Sequence, residues 1–312
     1  MASRWAWQLR LVLRRLGVRA ALFSLLAVVA ALVAVWLGPW IPPSWVDRFG
    51  ADSVEQLLSI IASSMLAVTT FSLSVMVSAY AGITSSVTPR ATKLLAEDAT
   101  AQNALATFLG SFLFSLVGLI GLSAGLYEAQ GRLVLFAATL AVIAVIVVVL
   151  LRWIDHLSRM GRVGETTRQV ELATRQALQD RRAHPGLGAL CRSDKTVPEL
   201  ARLVRFDTVG YVCHIDLGAL DGIAGRAAAV VHVLAAPGSF VTPADALLAV
   251  EGLDAEHDAA LCAAFSFGDR RSFDQDPRFG LSVLAEIASR ALSPAVNDPG
   301  TAIDVIGRLV RL

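Results

Sequence analysis

Polar residues that could support catalysis gather near the end of the chain. Seven of them could converge into one site: Arg271, Gln275, Asp276, Glu286, Arg290, Asn297 and Asp298. Carboxylates and guanidinium groups held together can move protons or bind a metal ion. Each also has a structural explanation, because Asp276 and Asp298 precede prolines as helix caps, and Glu286 stands four residues before Arg290. Without a nucleophile and its base, the sequence favours structural roles, and we expect no enzyme activity.

Metal, cofactor and nucleic-acid chemistry has little support elsewhere in the sequence. Two further sets of potential ligands show no ligand spacing: His184, His214, His232 and His257, and Cys191, Cys213 and Cys262. Neither a P-loop nor a dinucleotide-binding glycine motif occurs. The 27 basic and 26 acidic residues give a net charge of +1. We therefore expect no cofactor, no metal and no nucleic-acid partner.

A second set of polar residues lies inside an apolar stretch. Small and hydroxyl-bearing residues recur there at steps of three and four, which places them on one helix face: Ser59, Ser63, Ala67, Thr70, Ser74, Ser78, Ala81 and Ser85. We call this face the stripe. Such a face lets helices pack closely and hydrogen-bond to each other, or it lines a water-filled path. Close packing is the more usual use, so the pattern favours packing over pore lining.

The stripe belongs to a half of the chain built from apolar stretches. The mean hydropathy is +0.61, and only 17% of the residues are charged. Apolar runs of about 18 or more residues are long enough to cross a bilayer. They predict four transmembrane helices at about 20–38, 57–80, 104–127 and 133–151, within a transmembrane domain spanning 1–160. The last three spans contain no ionisable residue in their middle, which argues against a proton-coupled pump.

Basic residues beside the spans predict the orientation of the chain. They cluster before the first span, after the second and after the fourth: Arg4, Arg10, Arg14, Arg15, Arg19, Arg90, Lys93, Arg152, Arg159, Arg162 and Arg168. Positive loops stay in the cytoplasm, so both termini and the soluble half are expected there. Thr88-Pro89 predicts the start of a short helix at the membrane surface. Asp155 and His156 are expected to form an interfacial polar pair.

The second half predicts a cytoplasmic α+β domain. A connecting helix at 162–182 and a loop fill 161–204, and short β runs at 210–216, 229–234, 237–241 and 246–251 form a β module at 205–253. The string Pro237-Gly-Ser-Phe-Val-Thr-Pro-Ala-Asp-Ala-Leu-Leu-Ala-Val resembles the barrel-sandwich hybrid of lipoyl and biotinyl domains. Their carrier lysine is missing, since the lysines are Lys93 and Lys195. The β module is therefore expected to serve interaction or packing.

The final segment, 254–312, predicts three helices. Asp254 would cap a helix at 259–265, Asp276 one at 279–292 and Asp298 one at 301–312. In the last two cases a proline follows the aspartate. Aspartate at the cap and proline at the first helical position are strong helix-start signals.

Several strings together resemble one bacterial family. They are Ile287-Ala-Ser-Arg-Ala-Leu-Ser-Pro-Ala-Val-Asn-Asp-Pro-Gly-Thr-Ala302, the stretch from Phe267 to Gly280, Thr88-Pro89-Arg90, and Phe108-Leu-Gly-Ser-Phe-Leu. The chain is similar, over nearly its whole length, to predicted membrane proteins of the family called domain of unknown function 2254. The resemblance implies a multi-pass protein of the bacterial inner membrane with a cytoplasmic C-terminal domain. It implies no established activity.

Two functions of different classes fit these observations. The first is an oligomeric channel or pore, a homo-oligomer in the lipid bilayer with a cytoplasmic regulatory domain. The second is a membrane-anchored scaffold or sensor that binds a cytoplasmic protein and transports nothing. An uncharged, hydroxyl-bearing face in the second span places the channel slightly ahead.

Overall fold

The computed structural model describes residues 12–13, 16–37, 53–91, 94, 98–190 and 197–312. Several residues used for predictions lie outside this set: Arg4, Arg10, Arg14, Arg15, Lys93, Cys191, Lys195 and the loop 39–52. The side chains of 83–86, Ser85 of the stripe included, are outside it as well. The chain divides into two compact units, and each is described by itself below. The helical unit contains Leu11–Ser85 and Thr92–Arg162, and the α/β unit contains Ser86–Ala91 and Val163–Leu312.

Among the described residues, four helices are long and apolar enough to cross a membrane. They are α1 (Leu16–Leu37), α2 (Val54–Ser86), α3 (Ala99–Ser123) and α4 (Ala129–Arg159). The predicted spans are confirmed as helices, but α2 and α4 extend well beyond them, to 33 and 31 residues. At about 1.5 Å per residue each is roughly 45–50 Å long, which exceeds a hydrocarbon core of about 30 Å. Both helices are therefore longer than a single crossing of an apolar layer requires.

Close packing in the helical unit joins α1 to α3. Ala31 and Ala34 of α1 are almost fully buried. A Cβ atom added at Gly110 of α3 would lie 3.2 Å from the carbonyl oxygen of Phe23, so the two backbones approach closely at this glycine. Beyond the end of α3, the Tyr127 hydroxyl donates to the carbonyl oxygen of Ala31 at 2.9 Å.

In its described residues, the α/β unit combines five α-helices with two small sheets. Its helices are α5 (Val163–Ala183), α6 (Leu217–Ala227), α7 (Asp258–Ala263), α8 (Pro277–Ala291) and α9 (Pro299–Arg311). Its strands are β1 (Arg202–Arg205), β2 (Gly210–Ile215), β3 (Val230–Val233), β4 (Phe240–Val241), β5 (Ala246–Glu251) and β6 (Phe265–Gly268). The sheets have the orders β1-β5-β3 and β4-β2-β6, and every pair of neighbours is antiparallel. One apolar core takes side chains from both sheets and from α6 and α7.

The sequence predicted part of this strand arrangement. The four β runs correspond to β2, β3, β4 and β5, whereas β1, β6 and helix α6 were missed. Phe265 was predicted to end a helix, but it begins β6, where it pairs with Ile215 and is 1% exposed. A four-residue strand carries little periodic signal, so its pairing partner decides its conformation. The likeness to a barrel-sandwich hybrid stays a prediction.

Helix starts marked by Asp-Pro are confirmed. Asp276 accepts a hydrogen bond from the Phe279 amide at 3.3 Å, and Asp298 accepts one from the Thr301 amide at 3.1 Å. Asp254 precedes only a short 3-10 turn, Ala255–His257, and α7 begins at Asp258. Proline at the first helical position explains the difference, because it fixes a helical φ angle that Ala255 does not impose.

The first residues of the predicted helix after α2 form a turn instead. Residues 87 and 89–91 are in turn conformation around Thr88, and the Ala91 amide donates to the Thr88 carbonyl oxygen at 3.1 Å. The remainder of the predicted helix falls largely on 92–97, of which only Leu94 is described, and Leu94 is helical. We call Ser86–Ala91 the elbow.

Candidate functional site

Helix α2 presents two different faces. One is buried in the helical unit and carries Leu58, Ile61, Met65, Ser72 and Met76. Most of these side chains pack with apolar residues of α3 and α4. The buried indole Nε1 of Trp153 donates to the Ser72 hydroxyl at 2.9 Å, which satisfies two polar groups inside this contact.

The stripe lies on the other face of α2. Its seven members with described side chains, Ser59, Ser63, Ala67, Thr70, Ser74, Ser78 and Ala81, are all exposed in the helical unit. Successive helical residues rotate by about 100°, so the middle of the stripe is roughly 180° from the buried face. The close-packing use of the stripe would thus need a helix other than the described neighbours of α2 in this unit, because those contact its opposite side.

Hydroxyl groups along the stripe are bonded within the helix. The hydroxyls of Ser63, Thr70 and Ser74 donate to backbone carbonyl oxygens one turn earlier, each at 3.0 Å. This bond uses the hydroxyl proton and leaves oxygen lone pairs free to accept from water or to approach a cation. The stripe therefore offers an uncharged row of weak acceptors along the helix.

Glycines of the third span contribute to packing in different ways. A Cβ at Gly118 would lie 3.0 Å from Leu58, and one at Gly121 would lie 2.5 Å from the Tyr127 ring. Gly125 has a φ angle of +69° just after the end of α3, with no atom near the position of a Cβ. Among the described residues, Gly121 therefore contributes to packing, whereas Gly125 follows the end of the helix in a left-handed conformation.

Three members of the predicted C-terminal cluster do lie together. Arg271 Nε donates to Asp276 Oδ2 at 2.7 Å, and its guanidinium stacks over the Phe279 ring at 5.1 Å. Gln275 bonds both backbone groups of Ile215, accepting from its amide at 2.9 Å and donating to its carbonyl oxygen at 3.2 Å. Asp276 is 2% exposed. This group fastens the start of α8 to strand β2.

The other members of the cluster have separate roles. Asn297 has a φ angle of +49° in the turn before α9. Asp298 caps α9, and a hydrogen bond from the Thr301 hydroxyl lowers the pKa of its carboxyl group. Arg290 lies one turn after Glu286 on α8. Within the residues that the structure describes, no group of three or more His, Cys, Asp or Glu side chains is placed to hold a metal ion.

Glu286 bonds to the elbow. Its Oε1 accepts from the Thr88 hydroxyl at 3.0 Å, and its Oε2 forms an ion pair with Arg90. The Thr88 hydroxyl also accepts from the Arg90 amide at 3.2 Å. The elbow was predicted as a surface helix, yet Val87, Thr88 and Ala91 are at most 1% exposed. The α/β unit thus incorporates the residues that directly follow α2.

A buried ion cluster was missed in the sequence. Glu171 of α5 is 5% exposed and accepts from Arg308 at 2.9 Å, Arg311 at 3.0 Å and Arg175 at 3.1 Å. The hydrogen bond from Arg311 is the largest cause of its lowered pKa, and Arg308 adds to it. The sequence shows the spacing of four between Glu171 and Arg175. It does not show the pairing with the arginines of α9, because they are more than 130 positions away.

Asp155 and His156 at the end of α4 do not pair with each other. Asp155 forms an ion pair with Arg159 on the same helix. His156 Nε2 lies 3.6 Å from Asp98 Oδ2, and Asp98 caps α3 through the amides of Thr100 and Ala101. Neighbouring residues on a helix point about 100° apart, so each of the two finds its own partner.

Comparison with known proteins identifies a family without an assigned activity. Two relatives are 57% identical over 42 residues: Uncharacterized protein Mb1321c of Mycobacterium bovis and Uncharacterized protein Rv1290c of Mycobacterium tuberculosis. These 42 residues are 14% of this chain and only 8% of each relative. No solved structure matches the chain. The profile of a family described as predicted membrane protein, DUF2254, matches residues 14–312, and the chain therefore belongs to the DUF2254 family of predicted membrane proteins.

Proposed function

We propose that this protein is a subunit of an oligomeric membrane channel in which copies of α2 bring their stripes together around a hydrated path. The exposure of the stripe carries this proposal. Its hydroxyl-bearing residues lie opposite the packed face of α2, where a second copy or water can reach them.

The physical alternative for this face is contact with lipid. Exposed apolar residues flank the stripe, among them Leu66, Phe71 and Leu73 at 46–63% exposure, and they suit lipid or an apolar neighbour. The central residues Thr70, Ser74 and Ser78 are small and polar, and they gain little from lipid tails. A meeting of several stripes gives these hydroxyls water as a partner and keeps the flanking residues in an apolar setting.

The composition of the stripe limits what the path would select. It contains hydroxyl and methyl groups and no charged residue, so it provides no fixed charge to attract one sign of ion strongly. In such a path, neutral hydroxyl oxygen atoms would replace part of the hydration shell of a passing ion. We expect weak charge selectivity and no coupling to protons.

The orientation belongs to the same proposal. Basic residues beside the spans favour a protein of the bacterial inner membrane whose α/β unit and both chain termini lie on the cytoplasmic side. The elbow follows α2, α5 follows α4, and both belong to one compact unit. This common unit supports an arrangement in which α2 and α4 end on the same side of the membrane, as four alternating spans require.

A scaffold or sensor is the second candidate, and exposed apolar residues of the α/β unit favour it. Ile303, Ile306 and Val310 of α9 are 60–82% exposed and lie on one side of that helix. Contiguous exposed apolar residues often mark a protein contact. In this function the stripe would join copies of the chain without conducting, and a cytoplasmic protein would bind the α/β unit.

Ion flux from liposomes tests the channel. Purified protein should release a trapped ion, and a Thr70→Leu/Ser74→Leu double variant should abolish release because it replaces hydroxyls with bulky apolar groups. Leu73→Phe is the matched control, since Leu73 is exposed on α2 outside the stripe. Native mass spectrometry would give the number of subunits. Wild-type liposomes that release no ion, or a double variant as active as the control, would overturn the channel.

A further inference from the structure

We propose that the elbow couples the α/β unit to α2, and that Glu286 is the positioning residue that fastens it. The proposal concerns regulation of the stripe, so its effect on flux rests on the proposed function. The attachment itself stands on contacts within the α/β unit.

The first step is that the elbow is part of the α/β unit. Val87 is 1% exposed, and Thr88 and Ala91 are completely buried. Ser86, the last residue of α2, belongs to the same compact unit as residues 87–91 and 163–312. A surface loop between two spans is usually exposed and mobile. The elbow, in contrast, is packed into the α/β unit.

The second step is that one carboxylate holds the turn at two points. Glu286 accepts from the buried Thr88 hydroxyl at 3.0 Å and pairs with the more exposed Arg90. The Thr88 hydroxyl in turn accepts from the Arg90 amide, and its carbonyl oxygen accepts from the Ala91 amide. Hydrogen bonds to a charged acceptor are stronger than neutral ones. Loss of the Glu286 carboxylate therefore loosens the entire turn.

The third step is that Glu286 stands on a firmly packed helix. Val283, Leu284 and Ile287 of α8 are at most 2% exposed. A Cβ added to Gly280 would lie 2.0 Å from Thr174 Oγ1, so α8 and α5 pack with little space between them. A helix packed in this way moves as a body with its neighbours.

The consequence follows from covalent continuity. The elbow continues α2 directly along the chain. Because Glu286 bonds to Thr88 and Arg90, a displacement of α8 is expected to move the elbow, which is covalently joined to the end of α2. In the proposed channel, a ligand or protein that moves α8 would open or close the path through this connection.

Hydrogen exchange tests the attachment in the full chain reconstituted in lipid. In Glu286→Gln, the amides of Arg90 and Ala91 should exchange about tenfold faster, since the charged acceptor of the turn is lost. The matched control is Glu165→Gln on α5, which removes the same charge from an ion pair with Arg168 in the same unit. The double variant Arg90→Glu/Glu286→Arg reverses the ion pair but leaves the Thr88 hydroxyl without its carboxylate acceptor, so it should restore protection only in part. An elbow that exchanges at the wild-type rate in Glu286→Ala would overturn the attachment.

Ion flux and cysteine labelling test the coupling. Glu286→Gln should change ion flux by about fivefold or more in either direction, whereas Glu165→Gln leaves it unchanged. A loosened elbow with unchanged flux would overturn the coupling. If the wild type conducts nothing, the proposed function fails, and the labelling rate of Ser78→Cys by a water-soluble thiol reagent becomes the readout. A rate that differs with and without Glu286→Gln supports the coupling, and an equal rate overturns it.

Discussion

Replacement of Glu171 by glutamine tests how α9 is held on the α/β unit. The carboxylate of Glu171, on α5, is 7% exposed and meets Arg308, which is 13% exposed. Arg175 and Arg311 are more exposed and can turn to water when the charge is removed. Arg308 remains largely buried, with Asp304 as its other acidic partner at 2.7 Å. The main loss is thus one buried charge-assisted bond.

The magnitude follows from this burial. Removing one partner of a fully buried ion pair costs about 3–5 kcal/mol, while hydrogen bonds to charged groups contribute about 1.5–3 kcal/mol. Because Asp304 still pairs with Arg308, we expect Glu171→Gln to lower the free energy of opening α9 by about 2–3 kcal/mol. That corresponds to roughly 30- to 150-fold faster exchange of the α9 amides.

Hydrogen exchange of α9 in the reconstituted chain measures this loss. Tryptophan fluorescence is unsuitable, because all six tryptophans precede residue 154. The matched control is Glu165→Gln on the same helix, whose pair with a half-exposed Arg168 should contribute less than about 1 kcal/mol. Equal exchange of α9 in the two variants would refute the reasoning and assign the attachment to the buried Ala302 and Val305 alone.

The dependence on pH gives a second test of the same contact. The pKa of Glu171 is lowered in the folded protein, chiefly by the hydrogen bond from Arg311. A lowered pKa stabilises the fold above the ordinary glutamate value of about 4.3, and this stabilisation disappears as the pH falls through the folded value. The free energy of opening α9 should therefore differ between wild type and Glu171→Gln by a constant amount at neutral pH, and this difference should become smaller below about pH 4.

Three further predictions address other parts of the structure. Gly238→Ala should lower the stability of the α/β unit by about 2–4 kcal/mol in denaturant titrations, because Gly238 has a φ angle of +89° and a Cβ there would lie 2.0 Å from Asp276 Oδ2; an unchanged midpoint would contradict this. Trp153→Phe should lower the thermal midpoint of the helical unit, since the buried Ser72 hydroxyl loses a partner at a cost of about 1–3 kcal/mol, and the Ser72→Ala/Trp153→Phe double variant should recover part of it. Cys262 should resist alkylation in the native protein at neutral pH, because burial raises the pKa of its thiol; labelling as fast as in denatured protein would contradict its burial.

The sequence predicted the helical elements well because their signals are local. The four apolar spans, the helix after α4 and the helices that begin at Asp276 and Asp298 each depend on composition or on a cap within a few residues. The short strands were harder. β1 and β6 contain four residues each, and Phe265 adopts a strand conformation because Ile215 is available beside it.

The candidate site was predicted only in part. The periodicity of the stripe was correct as a pattern, but a periodic pattern does not show which face a neighbouring helix covers. The C-terminal polar residues were considered as one site, with structural roles favoured, and the structure separates them into a contact with β2, a helix cap and a contact with the elbow. A capping or ion-pair pattern indicates that a side chain has a structural role, but it does not identify the residue or element with which that side chain interacts.

The sequence by itself determined the DUF2254 family, the four apolar helices, the helix starts and the hydroxyl-bearing face of α2, since these follow from residue type and spacing along a helix. Only the tertiary structure decided that this face is exposed, that Glu171 meets the arginines of α9, and that Glu286 holds the elbow. The reason is distance along the chain, because Glu286 and Thr88 are separated by 198 positions. Their contact exists only once packing has brought the elbow and α8 together.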